Sequence, residues 1–409
     1  MALKLPTNKE NQPVRKLASI QRITNIQPIP GADNIVRADV LGWSVVVGKD
    51  EFKVGDLAVY FEIDSWLDSS NPAFDTPIFQ PRFVNWGTKR GMRLKSIKLR
   101  KQLSQGLLMP VTAFGDTLFA RALGEGDDVT ELLGIEKWEP AEETQSNGPN
   151  KSAGSKPFPS FIQKTDQERV QNYMHVIPEH LDETFEVTIK LDGSSMTVYH
   201  VDATSPHFAH VAKDEEARKL RKMSGWGRFW YKIGRALGFT SAPNYFTGVC
   251  SRNIQLGIDE DNHFSKFARE HQMFEALENY ARNIAVQGEL LAPSIQGNYE
   301  QVKGFEYHVF DVFDIDDQRY LLPEEAREVV DALGWNYVPV LHDTFSLCSL
   351  LSGNPEETPR DLVDAILDLA EGPGKNPGVK REGIVFKSNK TPFSFKAISN
   401  SYLLKKEGK

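Results

Sequence analysis

The sequence lacks any apolar run long enough to span a bilayer, and Met1-Ala2-Leu3-Lys4-Leu5-Pro6 is not the apolar core of a signal peptide. An intracellular protein with no membrane attachment is expected. Cysteine is scarce: Cys250 and Cys348 are the two in 409 residues, far apart and without metal-ligand spacing. That excludes a disulfide scaffold and points to structural thiols in a reducing compartment. A surplus of positive charge is also missing. The net charge of −8 argues against a basic coat that grips nucleic acid everywhere, although a local basic track remains open. What is present is ordinary globular composition, enough for two or three domains. No protein partner is evident, and a monomer is expected.

Short alternating segments fill the first third. Leu17–Ile23, Ile35–Val40, Trp43–Val47 and Leu57–Phe61 read as strands separated by Gly, Asp and Pro turns. Such spacing suggests a small β-barrel, with the OB-fold as the best candidate. Arg82, Lys89, Arg90, Arg93, Lys95, Lys98, Arg100 and Lys101 follow with no acid between Arg82 and Ser104, and Phe83 and Trp86 are interleaved. This is a candidate track for phosphates and bases, or else a solvated hairpin face. Residues 137–157 lose periodicity and read as a linker between a barrel domain at 1–136 and a second domain at 158–409.

In the second domain, Phe161–Asn172 is expected to hold a short helix capped by Thr165 or Asp166. Residues 214–238 read as helix, with Trp226, Phe229, Trp230 and Ile233 on a face packed against the domain. Strand-like segments at Val249–Asn253, Ala285–Leu291, Tyr307–Phe313, Arg381–Lys387 and Phe393–Ile398 alternate with helices at Phe264–Arg282, Pro323–Leu333 and Pro359–Leu369. The whole is an α+β chain.

The stretch Val187-Thr188-Ile189-Lys190-Leu191-Asp192-Gly193-Ser194-Ser195 runs as a strand into a tight turn. It puts the Lys190 amine at a strand end. A lysine attacks only when neutral, which near pH 7 costs about 4–5 kcal/mol unless burial, cations or a metal help. Lys190, Asp192, Arg252, Glu289, Asp311, Glu382, Lys387 and Lys396 each sit singly among apolar residues. Isolated buried charges are costly, so convergence on one cleft is the economical explanation. A nucleophilic lysine, carboxylates for Mg²⁺ and added cations suit attack on the α-phosphate of a nucleotide. Phe310 or Tyr307 could stack on its base.

The ordered set Lys190-Leu191-Asp192-Gly193, Ser251-Arg252-Asn253, Gly288-Glu289, Val309-Phe310-Asp311, Glu382-Gly383-Ile384-Val385-Phe386-Lys387 and Lys396 resembles motifs I, Ia, III, IIIa, IV and V of the covalent nucleotidyltransferases. These are the ATP-dependent DNA ligases, the RNA ligases and the mRNA capping enzymes. Lys190-Leu191-Asp192-Gly193-Ser194-Ser195, Ile295-Gln296-Gly297-Asn298 and Ser394–Ser399 are similar to RNA ligases. An amino-terminal barrel, with only thirteen residues after Lys396, resembles the Deinococcus/Naegleria-type RNA ligases, as do Phe161–Asn172 and Ser104-Gln105-Gly106-Leu107-Leu108. The long insertion at 202–246 fits no part of the pattern.

The resemblance implies an OB-fold barrel followed by an adenylyltransferase domain of antiparallel sheets flanked by helices, the ATP-grasp-like ligase and capping-enzyme fold. It implies ATP and Mg²⁺ as cofactors, with Mn²⁺ as a substitute. Lys190, Lys396, Glu289 and Glu382 would be catalytic. Ile189, Lys190, Asp192, Arg252, Glu289, Phe310, Glu382 and Lys396 would contact the nucleotide, and Asp192, Glu289 and Glu382 the metal, largely through water. The nucleic-acid partner implied is a nicked duplex of RNA or RNA/DNA hybrid with RNA at the 3′-OH side. The rivals are a DNA ligase, a GTP-using capping enzyme, and a non-catalytic OB-fold binder.

Overall fold

A computed structural model describes residues 16–115, 118, 122–138, 156–209, 211–213, 220, 223–236, 244–354 and 356–406. Most of the expected linker, and residues 210, 214–219, 221–222 and 237–243 of the insertion, with the parts of the expected 214–238 helix that fall there, therefore lie outside the described residues. Among the described residues no helix is long and apolar enough to cross a membrane.

The front of the chain forms an OB-fold barrel. Strands Ala18–Pro28, Ile35–Val40, Trp43–Gly48, Leu57–Phe61 and Leu107–Pro110 make one antiparallel sheet, in which Ala18–Pro28 pairs both Ile35–Val40 and Leu57–Phe61. That long strand turns because its register slips between Ile23 and Asn25, a bulge that lets one strand serve both sides. A second sheet holds Ser65–Asp68, Val84–Trp86, Lys89–Arg93 and Glu136–Lys137. Ile20, Val59, Phe61, Leu67, Phe74 and Met92 fill the space between them.

Two larger sheets form the rest. The eight-stranded sheet has Ser194–Asp202 at its centre, paired with Tyr245–Cys250 on one side and Ile284–Leu291 on the other. The five-stranded sheet places Thr184–Lys190 between Gly383–Ser388 and Val340–Ser346. Pro323–Leu333 lies over the first sheet's core, and Pro359–Leu369 over the second's. The expected helix at Phe264–Arg282 is instead two, His263–Glu270 and Met273–Tyr280, broken where Gln272 adopts φ 51°.

Two other expectations fail locally. Phe161–Asn172 contains no capped α-helix: Glu168–Arg169 adds as a parallel strand to Phe395–Lys396, and a 3₁₀ turn follows at Val170–Tyr173. Thr165 and Asp166 spend their side chains on distant partners rather than on local backbone. The helix Gly225–Ala236 does form, but Trp226, Phe229 and Trp230 are 75%, 59% and 54% exposed, not packed on the domain.

The segment 169–172 docks the barrel. Gly42 N donates to Gln171 O at 3.0 Å, Trp43 Nε1 to Asn172 Oδ1 at 2.6 Å, and Asn172 Nδ2 to Glu62 Oε1 at 2.6 Å. A side chain at Gly42 would press within 2.6 Å of the Gln171 backbone.

Candidate active site

The chain crosses between the two large sheets at Leu191-Asp192-Gly193. Thr184–Lys190 belongs to the five-stranded sheet, and Ser194–Asp202 to the eight-stranded one. Lys190 is the last residue before the crossing, so its side chain enters the cleft between the sheets. The crossing is tight: a Cβ on Gly193 would lie 2.6 Å from Leu290 O, and the Gly193 amide donates to Glu289 Oε1 at 2.9 Å. Ile189, Leu191, Leu291, Val302 and Val338, with Phe310 against them, form an apolar cluster that fixes the lysine's neighbours.

Register supplies the first carboxylate. Lys190 pairs with Gly383, which brings Glu382 beside it, and Lys190 Nζ donates to Glu382 Oε2 at 2.9 Å. Ser195 pairs with Glu289, which brings in the second. Burial pushes the Lys190 amine down, but Glu382, Glu289 and Asp192 outweigh it and hold the ammonium above its ordinary range. Burial pushes Glu289 up to about 7, with Glu382 adding and Lys190 opposing. Asp192 is itself buried, and its amide reaches Glu300 Oε1 at 3.3 Å.

Cations line the other side. Lys396, from the strand Ser394–Ile398, and Arg252, just beyond Tyr245–Cys250, face the same cleft as Lys190, Glu289 and Phe310. Burial depresses the Lys396 amine, and the charges of Lys190 and Arg169 add to that against Asp166. Lys387 lines the cleft as well. It is buried, donates to Phe310 O and pairs with Asp311 Oδ1 at 2.6 Å. Asp311 also accepts from Thr165 Oγ1 at 3.0 Å.

The structure thus brings Ile189, Lys190, Asp192, Arg252, Glu289, Phe310, Glu382 and Lys396 to one place. Tyr307 is not there as a stacking ring: it is core, its hydroxyl donating to Met196 O and Val286 O at 3.1 Å. Asn298 closes a turn, exchanging bonds with Val302 at 2.9 and 3.0 Å. Sequence reasoning missed Thr165, Asp166 and Gln167 as cleft residues. The signal for them lay in Phe161–Asn172, which shares in the family resemblance as a stretch without singling out these three.

Among the described residues no three His, Cys, Asp or Glu side chains converge tightly enough to hold a metal directly. The carboxylates do fit a divalent cation that keeps its water. Asp192, Glu289 and Glu382 share one lysine, and neighbouring Glu300 has a buried oxygen, Oε2, with no hydrogen-bond partner. Such an excess of buried negative charge is relieved by a hydrated cation.

The basic stretch splits in two. Arg82, Arg90, Lys95, Lys98, Arg100 and Lys101 are exposed, on two successive hairpins (Arg90, Lys98, Arg100, Lys101) and on the segments before and between them (Arg82, Lys95). Arg93 is bound to Asp64 at 2.9 Å and lies 4.2 Å over the Trp138 ring, and Lys89 pairs with Glu136. Trp86 packs on Trp66 at 5.2 Å, and Phe83 joins the barrel core. Two of the eight cations and both aromatics therefore have partners within the barrel domain, the Lys89–Glu136 pair at its surface.

An OB-fold domain model matches residues 17–111, and an RNA ligase model matches residues 183–398. The chain is similar to an apo mutant of Naegleria gruberi RNA ligase at 40% identity, covering 96% of this chain and 99% of that one, with TM-score 0.75. It is equally similar to a mutant of that ligase with AMP and Mn, at 40% identity over 97% and 100% with TM-score 0.75. The same ligase with PPi matches at 40% identity over 96% and 99%, with TM-score 0.74. No curated protein matches the chain.

Proposed function

The chain belongs to the RNA ligase family and is an ATP-dependent RNA ligase working through an AMP intermediate; from that premise we propose that Lys190 carries the AMP. We propose further that the joined ends lie at a nick with RNA on the 3′-OH side. The observation that carries the first part is Lys190 itself, set between carboxylates Glu382, Glu289 and Asp192 and cations Lys396 and Arg252. Solved relatives hold ATP or AMP with Mn, which accords with ATP and a divalent cation here.

In the first transfer Lys190 Nζ, once it has lost its proton, attacks the α-phosphorus, and the N–P bond forms as the bond to the pyrophosphate oxygen breaks and pyrophosphate leaves. Asp192, Glu289 and Glu382 would hold a hydrated divalent cation, Mg²⁺ or Mn²⁺. When bound, that ion would offset phosphate charge and the carboxylates that keep Lys190 protonated. Lys396 would stand by the α-phosphate, Arg252 by the phosphate chain, and Phe310 against the adenine, with Ile189 beneath it. Lys387 would hold Asp311. In the second transfer a 5′-phosphate oxygen takes the AMP from Lys190, and in the third a 3′-OH attacks that end and AMP leaves. Both need the two polynucleotide ends aligned.

The barrel is the proposed grip. Its exposed cations Arg82, Arg90, Lys95, Lys98, Arg100 and Lys101 suit a phosphate backbone. A monomer acting on nucleic acid inside the cell is the accompanying reading. Incubation with α-labelled ATP and Mg²⁺ tests the first part: acid-stable label on the wild type and none on Lys190→Ala is expected, and equal label on both overturns it. Sealing of nicks that differ only in the sugar at the 3′-OH tests the second, and equal rates on both favour a ligase without RNA preference.

A further inference from the structure

Asp166 lies in the cleft with its carboxylate among three cations from three parts of the fold. Lys396 Nζ is 3.2 Å from Oδ1, Arg252 Nη2 is 3.5 Å from Oδ1, and Lys137 Nζ is 3.2 Å from Oδ2. Lys396 belongs to the five-stranded sheet, Arg252 follows a strand of the eight-stranded sheet, and Lys137 ends the last barrel strand. Two of the three are the cations assigned above to the nucleotide. A carboxylate that bridges them occupies the charge position a phosphate needs.

We propose that Asp166 is a resident anion that competes with the polyphosphate for Lys396 and Arg252. The inference rests on the reading of this cleft as the nucleotide site. With no nucleotide bound, Asp166 keeps the two cations in place and satisfied. An incoming triphosphate exchanges phosphate oxygens for the carboxylate. After Lys190 has taken the AMP, Asp166 returns to its partners as pyrophosphate departs, which disfavours the reverse attack of pyrophosphate on lysyl-AMP. Lys137 gives the carboxylate a second anchor, on the barrel, so its displaced state still has a countercharge.

This makes a prediction opposite in sign to that of a supporting role. Each bond of the half-exposed Asp166 is a modest ion pair. Removing the competitor should therefore tighten pyrophosphate binding about three- to tenfold. The test is calorimetric titration of the full chain with inorganic pyrophosphate in Mg²⁺, for wild type, Asp166→Asn and Asp166→Ala, with thermal melting to show that both variants are folded. A lowered Kd in the folded variants, with faster loss of preformed lysyl-AMP at limiting pyrophosphate, is expected. An unchanged or raised Kd overturns the proposal, because Asp166 would then be helping the cations receive phosphate. If the wild type neither binds pyrophosphate nor forms lysyl-AMP, the nucleotide reading falls and the inference with it.

Discussion

Lys387 and Asp311 offer a measurable distinction between a charge that builds the site and one that acts in it. The pair is 2.6 Å apart, with side chains 11% and 8% exposed. Asp311→Asn leaves the ammonium with the Phe310 carbonyl and with Glu186, which lies opposite Lys387 across the strand pair. Breaking a buried pair this way costs about 3–5 kcal/mol. Lys387→Met should cost less, because Asp311 keeps donors from Thr165 at 3.0 Å and Gln167 at 3.3 Å. It also removes the positive charge that opposes burial's upward push on Glu186. A carboxyl raised in the fold is ionised more easily in the unfolded chain, so stability falls as pH rises from its unfolded value to its folded one. The Lys387→Met loss should therefore be larger at pH 7 than at pH 4. The double variant removes both charges and should recover at least about 2 kcal/mol of the summed single losses. Denaturant unfolding of the four proteins measures the cycle. Losses that add within about 0.5 kcal/mol would refute the coupling, and a stable Lys387→Met that cannot form lysyl-AMP would give Lys387 a direct part in the chemistry.

Replacing Lys98, Arg100 and Lys101 with Gln should weaken nicked-duplex binding and lower the slope of log K against log salt by about 2–3; an unchanged slope removes these exposed hairpin cations from the interface. Arg93→Gln should instead lower the barrel's melting temperature, since it loses Asp64 and the Trp138 ring, while leaving the salt slope nearly unchanged. Gly383→Ala should destabilise by about 2 kcal/mol or more and abolish adenylylation, because its Cβ would sit 2.2 Å from Ala397 O and break the register that presents Glu382 to Lys190. A thiol reagent at pH 8 should titrate one cysteine in the native protein and two in denaturant: Cys348 is exposed, while Cys250 is buried and its thiol pushed up by that burial. Two fast thiols in the native state would contradict that packing.

Much of the site was legible because its residues lie in strands whose apolar runs are interrupted by one charge each. Lys190, Glu289 and Lys396 stand out against Ile, Leu, Phe and Ala around them, and burial makes an isolated charge informative, whereas Glu382 follows Arg381 just ahead of its strand. Where the signal was weak, it was weak for a physical reason. Ser194–Asp202 is buried at every position from Met196 to Val201, so both its faces are covered and it shows no clean alternation. Val340–Ser346 is an edge strand with His342, Asp343 and Thr344 exposed, and reads as a polar loop. The break at Gln272 carries neither Gly nor Pro. The fate of Thr165 and Asp166 was invisible locally, since capping residues and tertiary ligands are the same residue types.

That last ambiguity bears on how the ligase is assembled. The twelve residues from Phe161 to Asn172 touch every part of the machine. Thr165 holds Asp311, and so the Phe310 strand; Asp166 gathers Lys396, Arg252 and the barrel's Lys137; Gln171 and Asn172 fasten Gly42, Trp43 and Glu62. Arg169 pairs in register with Lys396 and lies 5.6 Å from the Trp43 ring. A segment so connected cannot move at one end without loading the other, because its bonds run to both large sheets and to the barrel. Where the barrel sits and how much positive charge the cleft presents are therefore set by the same short run of backbone. The polarity of that run, which looked like a surface helix, reflects the number of distant partners it has to satisfy.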